Sequence, residues 1–151
     1  MRQADVWNFD VSAPHRLPAV IVAGPTCSGK SDMALMLAKA LHGTIINADS
    51  MQVYKELRVL TARPAEADEE SVPHRLYGVL PAAEKGSVAW WRERALECMN
   101  EAWQAGQLPI LCGGTGMYMN ALVKGLAEIP PSDPLVREQT REFVSEYGAA
   151  A

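Results

Sequence analysis

An α/β fold, a parallel sheet covered by helices, follows from three observations on the sequence. Short apolar runs alternate with stretches of helical periodicity in the order strand, helix, strand, helix, strand, helix. Glycine-rich turns follow the first and third of those runs. The length, 151 residues, is about one domain's worth of chain and can bury most of its apolar surface.

The elements follow in order. Residues 1–17 form a polar lead-in punctuated by Pro14 and Pro18. Ala19-Val20-Ile21-Val22-Ala23, bounded by Pro and Gly, reads as a buried strand. After the turn from Gly24 to Gly29, residues 31–41 place Met33, Leu37 and Leu41 four apart with Ala34 and Ala38 alongside. That is one apolar stripe of a helix, with Gly43 as its stop. Thr44-Ile45-Ile46 is the second strand. Residues 56–87 lack sustained periodicity and predict mostly loop with short elements. Val88 to Ala105 is a helix with Trp91, Ala95, Cys98 and Ala102 on one face, closed by Gly106. At that spacing the tryptophans predict core packing ahead of a base-stacking platform. Leu108 to Cys112 is the third strand, and Gly113-Gly114-Thr115-Gly116 turns into a short helix from Met117 to Lys124. Ile129-Pro130-Pro131 breaks the chain. Asp133 then caps a last helix with Pro134 at its first position, running to about Tyr147.

Composition narrows the function. With 48% hydrophobic and 21% charged residues, the chain is neither disordered nor collagen-like. No apolar run approaches the roughly 18 residues of a membrane span, and the N-terminus lacks the apolar core of a signal peptide. Three widely spaced cysteines, Cys27, Cys98 and Cys112, predict reduced thiols in a cytoplasmic protein, with no disulfide framework or zinc site. A formal net charge of −4 argues against gripping nucleic acid by bulk charge, though not against a local basic groove.

Gly24-Pro25-Thr26-Cys27-Ser28-Gly29-Lys30-Ser31 matches G-x-x-x-x-G-K-[ST] at every fixed position, between a predicted strand and a predicted helix. The fold expectation therefore sharpens to a P-loop NTPase-like sheet. Glycines let the backbone wrap its N–H groups around phosphate oxygens at a helix N-terminus, whose dipole favours anions. Lys30 adds a mobile positive charge, and the Ser31 hydroxyl can ligate Mg²⁺. Cys27 is either a thiol whose pKa the helix terminus lowers or a small side chain at a variable position. The loop predicts a polyphosphate without saying which: a kinase, a nucleotide-dependent switch and a diphosphate-consuming transferase all use one.

Asp49 follows the second strand at the edge where open α/β sheets bind ligands. It reads as a metal-holding carboxylate, as a general base for an acceptor beside the phosphate, or as a turn aspartate. Thr115, among glycines after the third strand, brings a hydroxyl to the same edge.

Together, the phosphate loop, Asp49-Ser50-Met51-Gln52-Val53-Tyr54-Lys55, Thr61-Ala62-Arg63-Pro64, Pro73-His74-Arg75-Leu76 and Gly113-Gly114-Thr115-Gly116-Met117-Tyr118 resemble the tRNA dimethylallyltransferase family, over residues 18 to about 137. The resemblance implies transfer of a dimethylallyl group from dimethylallyl diphosphate to the exocyclic amine of an adenosine beside the tRNA anticodon. It implies that Gly24 to Ser31 binds the diphosphate, with Lys30 acting on the leaving group and Ser31 helping to hold Mg²⁺. It implies Asp49 as the acceptor of the amine's proton and Asp49, Ser50, Met51 and Gln52 as contacts of a flipped-out base. Thr115 would meet the tRNA near the reacting centre, and Arg137 would be a further tRNA contact. Arg63 and Leu60 depart from the Lys and Gly common at their positions in the family.

The family's second half, with its helical insertion and basic surfaces, is not in this sequence. The ending Gly148-Ala149-Ala150-Ala151 reads as a cut, so residues 18–151 are expected to be an incomplete, truncated catalytic core and a monomer. The competing readings are a small-molecule or nucleotide kinase, which needs an arginine-bearing lid, and a nucleotide-binding module or catalytically inactive truncated fragment, which binds ligand without transfer.

Overall fold

The computed structural model describes residues 17–127 and 133–148. The described residues form a four-stranded sheet in which every pairing is parallel. Its strands are β1 (Val20–Ala23), β2 (Gly43–Asn47), β3 (His74–Arg75) and β4 (Leu108–Gly113), in the spatial order β1-β4-β2-β3. The helices are α1 (Lys30–Leu41), α2 (Glu66–Ser71), α3 (Val88–Gln104), α4 (Gly116–Lys124) and α5 (Pro134–Tyr147). The three strands expected from their apolar runs are present. The lead-in over 1–16, the Pro130-Pro131 break and the end of the chain from Ala149 lie outside the described residues.

β2 and β4 are buried at every position, as central strands of a parallel sheet covered on both faces must be. β1, expected to be buried, instead alternates half-buried and exposed residues, because it lies at the sheet's edge. The two-residue period of a strand divides the core in two. Ile45 and Ile110 face α1 with Ala34 and Ala38, whereas Ile46 and Leu111 face α3 and α4 with Trp91, Ala95 and Tyr118. The Trp91 and Tyr118 rings stack with centroids 4.3 Å apart and planes 11° from parallel. Core packing of Trp91 is thus as expected. On α3 the fourth buried position is Met99, and Cys98 is only half-buried.

The readings of the α1 stripe and of Gly43 change. The buried stripe of α1 is Ala34 and Ala38, while Met33 is 51% exposed. Small residues lie there because α1 rests close on the sheet: a Cβ at Gly43 would come within 2.7 Å of Ile110 Cδ1 and 3.3 Å of Ala38 Cα. Gly43 therefore opens β2 and does not stop the helix. His42 stops it in the left-handed conformation (φ 51°), donating its N–H to the Ala38 carbonyl. The segment over 56–87 is mostly loop with short elements, as expected, and one of them is β3, a two-residue strand paired with Ile45–Ile46.

α5 begins and ends where its cap residues predict, with Asp133 accepting from Leu135 N at 2.9 Å, and none of its residues is buried. No described helix is long and apolar enough to cross a membrane.

Candidate functional site

Parallel pairing sends the C-terminal ends of β1, β2 and β4 to one edge of the sheet, and the order β1-β4-β2 makes them neighbours. The phosphate loop leaves β1 and turns at Gly29, whose φ of 79° is easy only for glycine, to start α1 at Lys30. Cys27 holds a left-handed φ of 61° in the same loop. The Lys30 ammonium donates to the Pro25 carbonyl at 3.2 Å, closing the loop on itself. Thr26 to Ser31 line a cleft of about 360 Å³ whose opposite wall is Asp49, Gln52, Thr61 and Ala62. A second cleft of about 260 Å³ shares Thr26, Asp49, Thr61 and Ala62 with the first and adds the apolar Met51 and Leu60.

Glycines after β4 let the strand ends close up. A Cβ at Gly113 would fall on the Ala48 carbonyl carbon and 2.7 Å from Asp49 N. At Gly114 a Cβ would lie 3.2 Å from the Gly24 carbonyl oxygen and 3.9 Å from Asp49 Oδ2. Gly114 thus lies beside both the start of the phosphate loop and the carboxylate, and a side chain there would press on the Gly24 carbonyl.

Asp49 is held in a defined pose. Its Oδ1 accepts from Met51 N at 2.9 Å, an Asx-type turn, while Oδ2 is the oxygen nearest Gly114. Thr115 Oγ1 accepts from Ser50 N at 2.9 Å, and Thr115 N donates to the Ala48 carbonyl at 3.2 Å. The hydroxyl expected to face substrate therefore also ties the Asp49 loop to the end of β4.

Gln52 is fixed from two sides. Its carbonyl accepts from Gly78 N at 2.9 Å, and its Nε2 donates to the carbonyls of Thr61 (2.9 Å) and Ala62 (3.2 Å). With both amide hydrogens engaged, Oε1 is the end of the side chain left to accept. Behind this wall Arg63 is buried over Gly78, with its guanidinium 3.9 Å from Glu69, which also meets Arg58 at 3.5 Å.

The structure thus brings Lys30, Ser31, Asp49, Gln52 and the loop from Thr26 to one cleft, with Ser50, Met51 and Thr115 bonded to or lining its rim. Gly24 and Pro25 form the loop's start without lining the cleft. Arg137, on α5, is exposed and does not join these residues. Residue patterns had given Asn47, Thr61, Ala62 and Gly114 no role. Thr61 and Ala62 stood in a quoted motif, but only the fold carries their turn across to the phosphate loop.

Among the described residues no cluster of three His, Cys, Asp or Glu side chains is placed to hold a metal ion. The cleft does offer the Ser31 hydroxyl and the Asp32 carboxylate from α1 and the Asp49 carboxylate from the loop after β2, all hard oxygen donors. That set suits Mg²⁺ completed by phosphate oxygens and water, as this ion usually binds.

Burial pushes the Cys112 thiol above its ordinary range, opposed by the nearby Lys30, and its Sγ donates to the Lys30 carbonyl at 3.7 Å. Burial also raises Cys98, whereas Cys27 is exposed in the cleft wall. Thiol-reactive reagent at neutral pH should label Cys27 first and Cys112 last, and pyrophosphate with Mg²⁺ should slow the Cys27 reaction alone. Peptide mass mapping reads the order; equal protection of all three thiols would show general tightening instead of occupancy of the loop.

A family model described as IPP transferase matches residues 52–151. The tRNA dimethylallyltransferase of Gluconacetobacter diazotrophicus is 60% identical over 134 residues, 89% of this chain and 40% of the relative. That of Granulibacter bethesdensis is 59% identical, over 86% of this chain and 41% of the relative. Among solved structures, a full-length tRNA isopentenylpyrophosphate transferase from Bacillus halodurans superposes with a TM-score of 0.71 at 37% identity, covering 86% of this chain and 43% of that one. A eukaryotic dimethylallyltransferase acting on tRNA gives a TM-score of 0.70 at 25% identity, over 85% of this chain and 37% of that one. The chain spans about 40% of the length of the curated relatives it matches.

Proposed function

The chain belongs to the IPP transferase family, and on that premise we propose that it carries the reaction centre of a cytoplasmic tRNA-modifying prenyltransferase. The reaction moves a dimethylallyl group from dimethylallyl diphosphate to the N6 amine of an adenosine next to the tRNA anticodon. The observation that carries this reading is the approach of Asp49 Oδ2 and the phosphate loop to either side of Gly114.

The chemistry divides between those two parts. As the allylic carbon–oxygen bond breaks, its electron pair leaves with the diphosphate. Loop N–H groups, the first turn of α1 and Lys30 stabilise the charge that develops there. Ser31 would help to hold Mg²⁺, which would supply further neutralisation of that charge. The adenine amine, a poor nucleophile, attacks the same carbon, and its N6 proton passes to Asp49 Oδ2. Met51 and Leu60 give the adjoining cleft the apolar lining that suits a hydrocarbon chain. An adenosine stacked in a stem or loop reaches this cleft only when extruded. Gln52 Oε1 is then available to accept from it.

A phosphate-transfer reading has less support. Arg63 is buried and Arg58 is engaged by Glu69 and the Pro64 carbonyl, so neither serves as the free arginine of a closing lid. The test incubates the full-length protein with labelled dimethylallyl diphosphate, Mg²⁺ and unmodified tRNA. Label should appear on one adenosine beside the anticodon, with pyrophosphate released in equal amount. Turnover of ATP without label on tRNA would overturn the reading.

A further inference from the structure

We propose that Asn47 is the positioning residue of this site, the side chain that sets where Asp49 presents its carboxylate. The proposal rests on the prenyl-transfer reading above for its kinetic consequence. Its structural content stands apart from that reading.

Asn47 ends β2 and is wholly buried, a polar amide directly after the apolar pair Ile45–Ile46. Burying an amide costs free energy unless its hydrogen-bonding capacity is met, and here it is. Oδ1 accepts from Asp49 N at 2.9 Å, and Nδ2 donates to the Asp49 carbonyl at 3.0 Å. One side chain thus grips both main-chain groups of the residue that carries the carboxylate. The second Nδ2 hydrogen goes to the Leu76 carbonyl at 3.0 Å, and Leu76 is a non-glycine residue at φ 64°. The Asn47 carbonyl accepts from Trp91 Nε1 at 2.8 Å, both partners being fully buried.

The consequence is a clamp of defined reach. β3 ends at Arg75, so the β2–β3 ladder stops at Ile46, three residues before Asp49, and the Asn47 amide carries the attachment onward to Leu76. With its backbone held, the Asp49 side chain retains only its own torsions, and the bond from Met51 N engages Oδ1. Oδ2 is thereby aimed at Gly114. Asn47 does not itself line either cleft, so it acts through Asp49 and is not a catalytic residue.

Asn47→Asp keeps the shape and the acceptor but turns both donors into an oxygen facing two carbonyls. In the full-length protein, exchange of the Asp49 and Met51 amides should quicken about tenfold or more while Ile110 to Cys112 stay protected, because the opening is local. Pyrophosphate binding should stay within about twofold, and kcat should fall about 10- to 100-fold, the scale of a reacting group misplaced by an ångström. In an Asp49→Asn background the same change should add no further loss, since groups acting as one unit are not additive. Asn47→Ser, which keeps one donor, should lie between, and it is read the same way if Asn47→Asp does not fold. Uniform acceleration of exchange, equal losses in kcat and pyrophosphate affinity, or a fully additive loss beside Asp49→Asn would each overturn the proposal. A wild-type protein that transfers no label would overturn the function reading alone, because hydrogen exchange still decides the clamp.

Discussion

Asp49→Asn should lower kcat for prenyl transfer about 10²- to 10⁴-fold, the range supplied by a positioned general base, with Tm and pyrophosphate affinity close to wild type. The asparagine keeps Oδ1 to accept from Met51 N, so the turn survives. What changes is the other atom, where an NH₂ donor replaces Oδ2 on the side of Gly114. A donor cannot take the N6 proton, and it also meets the amine's hydrogens head-on. Single-turnover transfer separates the readings that the sequence left open. If the carboxylate mainly holds metal, excess Mg²⁺ should recover most of the lost rate; if Asp49 is only a turn residue, no loss appears. Either result would remove Asp49 from the proton-accepting role.

How much of this was legible beforehand depends on whether a feature is local in the chain. The phosphate loop was legible because its constraints are all within eight residues, and α5 was legible because Asp133 and Pro134 mark its start. β3 was not, since His74–Arg75 is a strand only through its register with Ile45–Ile46, nearly thirty residues away in the chain. The α1 stripe was misread for a related reason. Hydrophobicity favours Met33, but closeness to the sheet at Gly43 selects Ala34 and Ala38. The site shows the same division. Lys30, Ser31 and Asp49 follow from position at a strand end, whereas the Thr61–Ala62 wall and the double use of Thr115 need the fold. Asn47 carried one signal, a polar amide directly after the apolar pair Ile45–Ile46, which marks an obligatory set of buried hydrogen bonds without naming its partners.

Gly113→Ala should cost about 3 kcal/mol, the upper end of the usual overpacking range. For a chain of this size that lowers Tm by roughly 6–12 °C. The added methyl would fall on the Ala48 carbonyl and against Asp49 N, which are backbone atoms and cannot swing aside as a side chain can. Nor can the strands separate cheaply. Ala48 N donates to the Cys112 carbonyl at 2.8 Å, and Thr115 N donates to the Ala48 carbonyl at 3.2 Å, so relief of the collision breaks the bonds that align the strand ends. Three neighbouring glycines make the argument testable by position. At Gly114 the methyl has 3.2 Å to the Gly24 carbonyl oxygen, so Gly114→Ala should leave most of the stability while crowding the loop and lowering pyrophosphate affinity. At Gly116 nothing lies within 4 Å, and Gly116→Ala in the first turn of α4 should be neutral or raise stability by about 0.5 kcal/mol. Thermal unfolding of the three variants should therefore rank 113 far below 114, with 116 at or above wild type. Equal Tm values for 113 and 116 would mean that β2 and β4 part more easily at their ends than these bonds imply, and the close approach of Asp49 to the phosphate loop would lose its support.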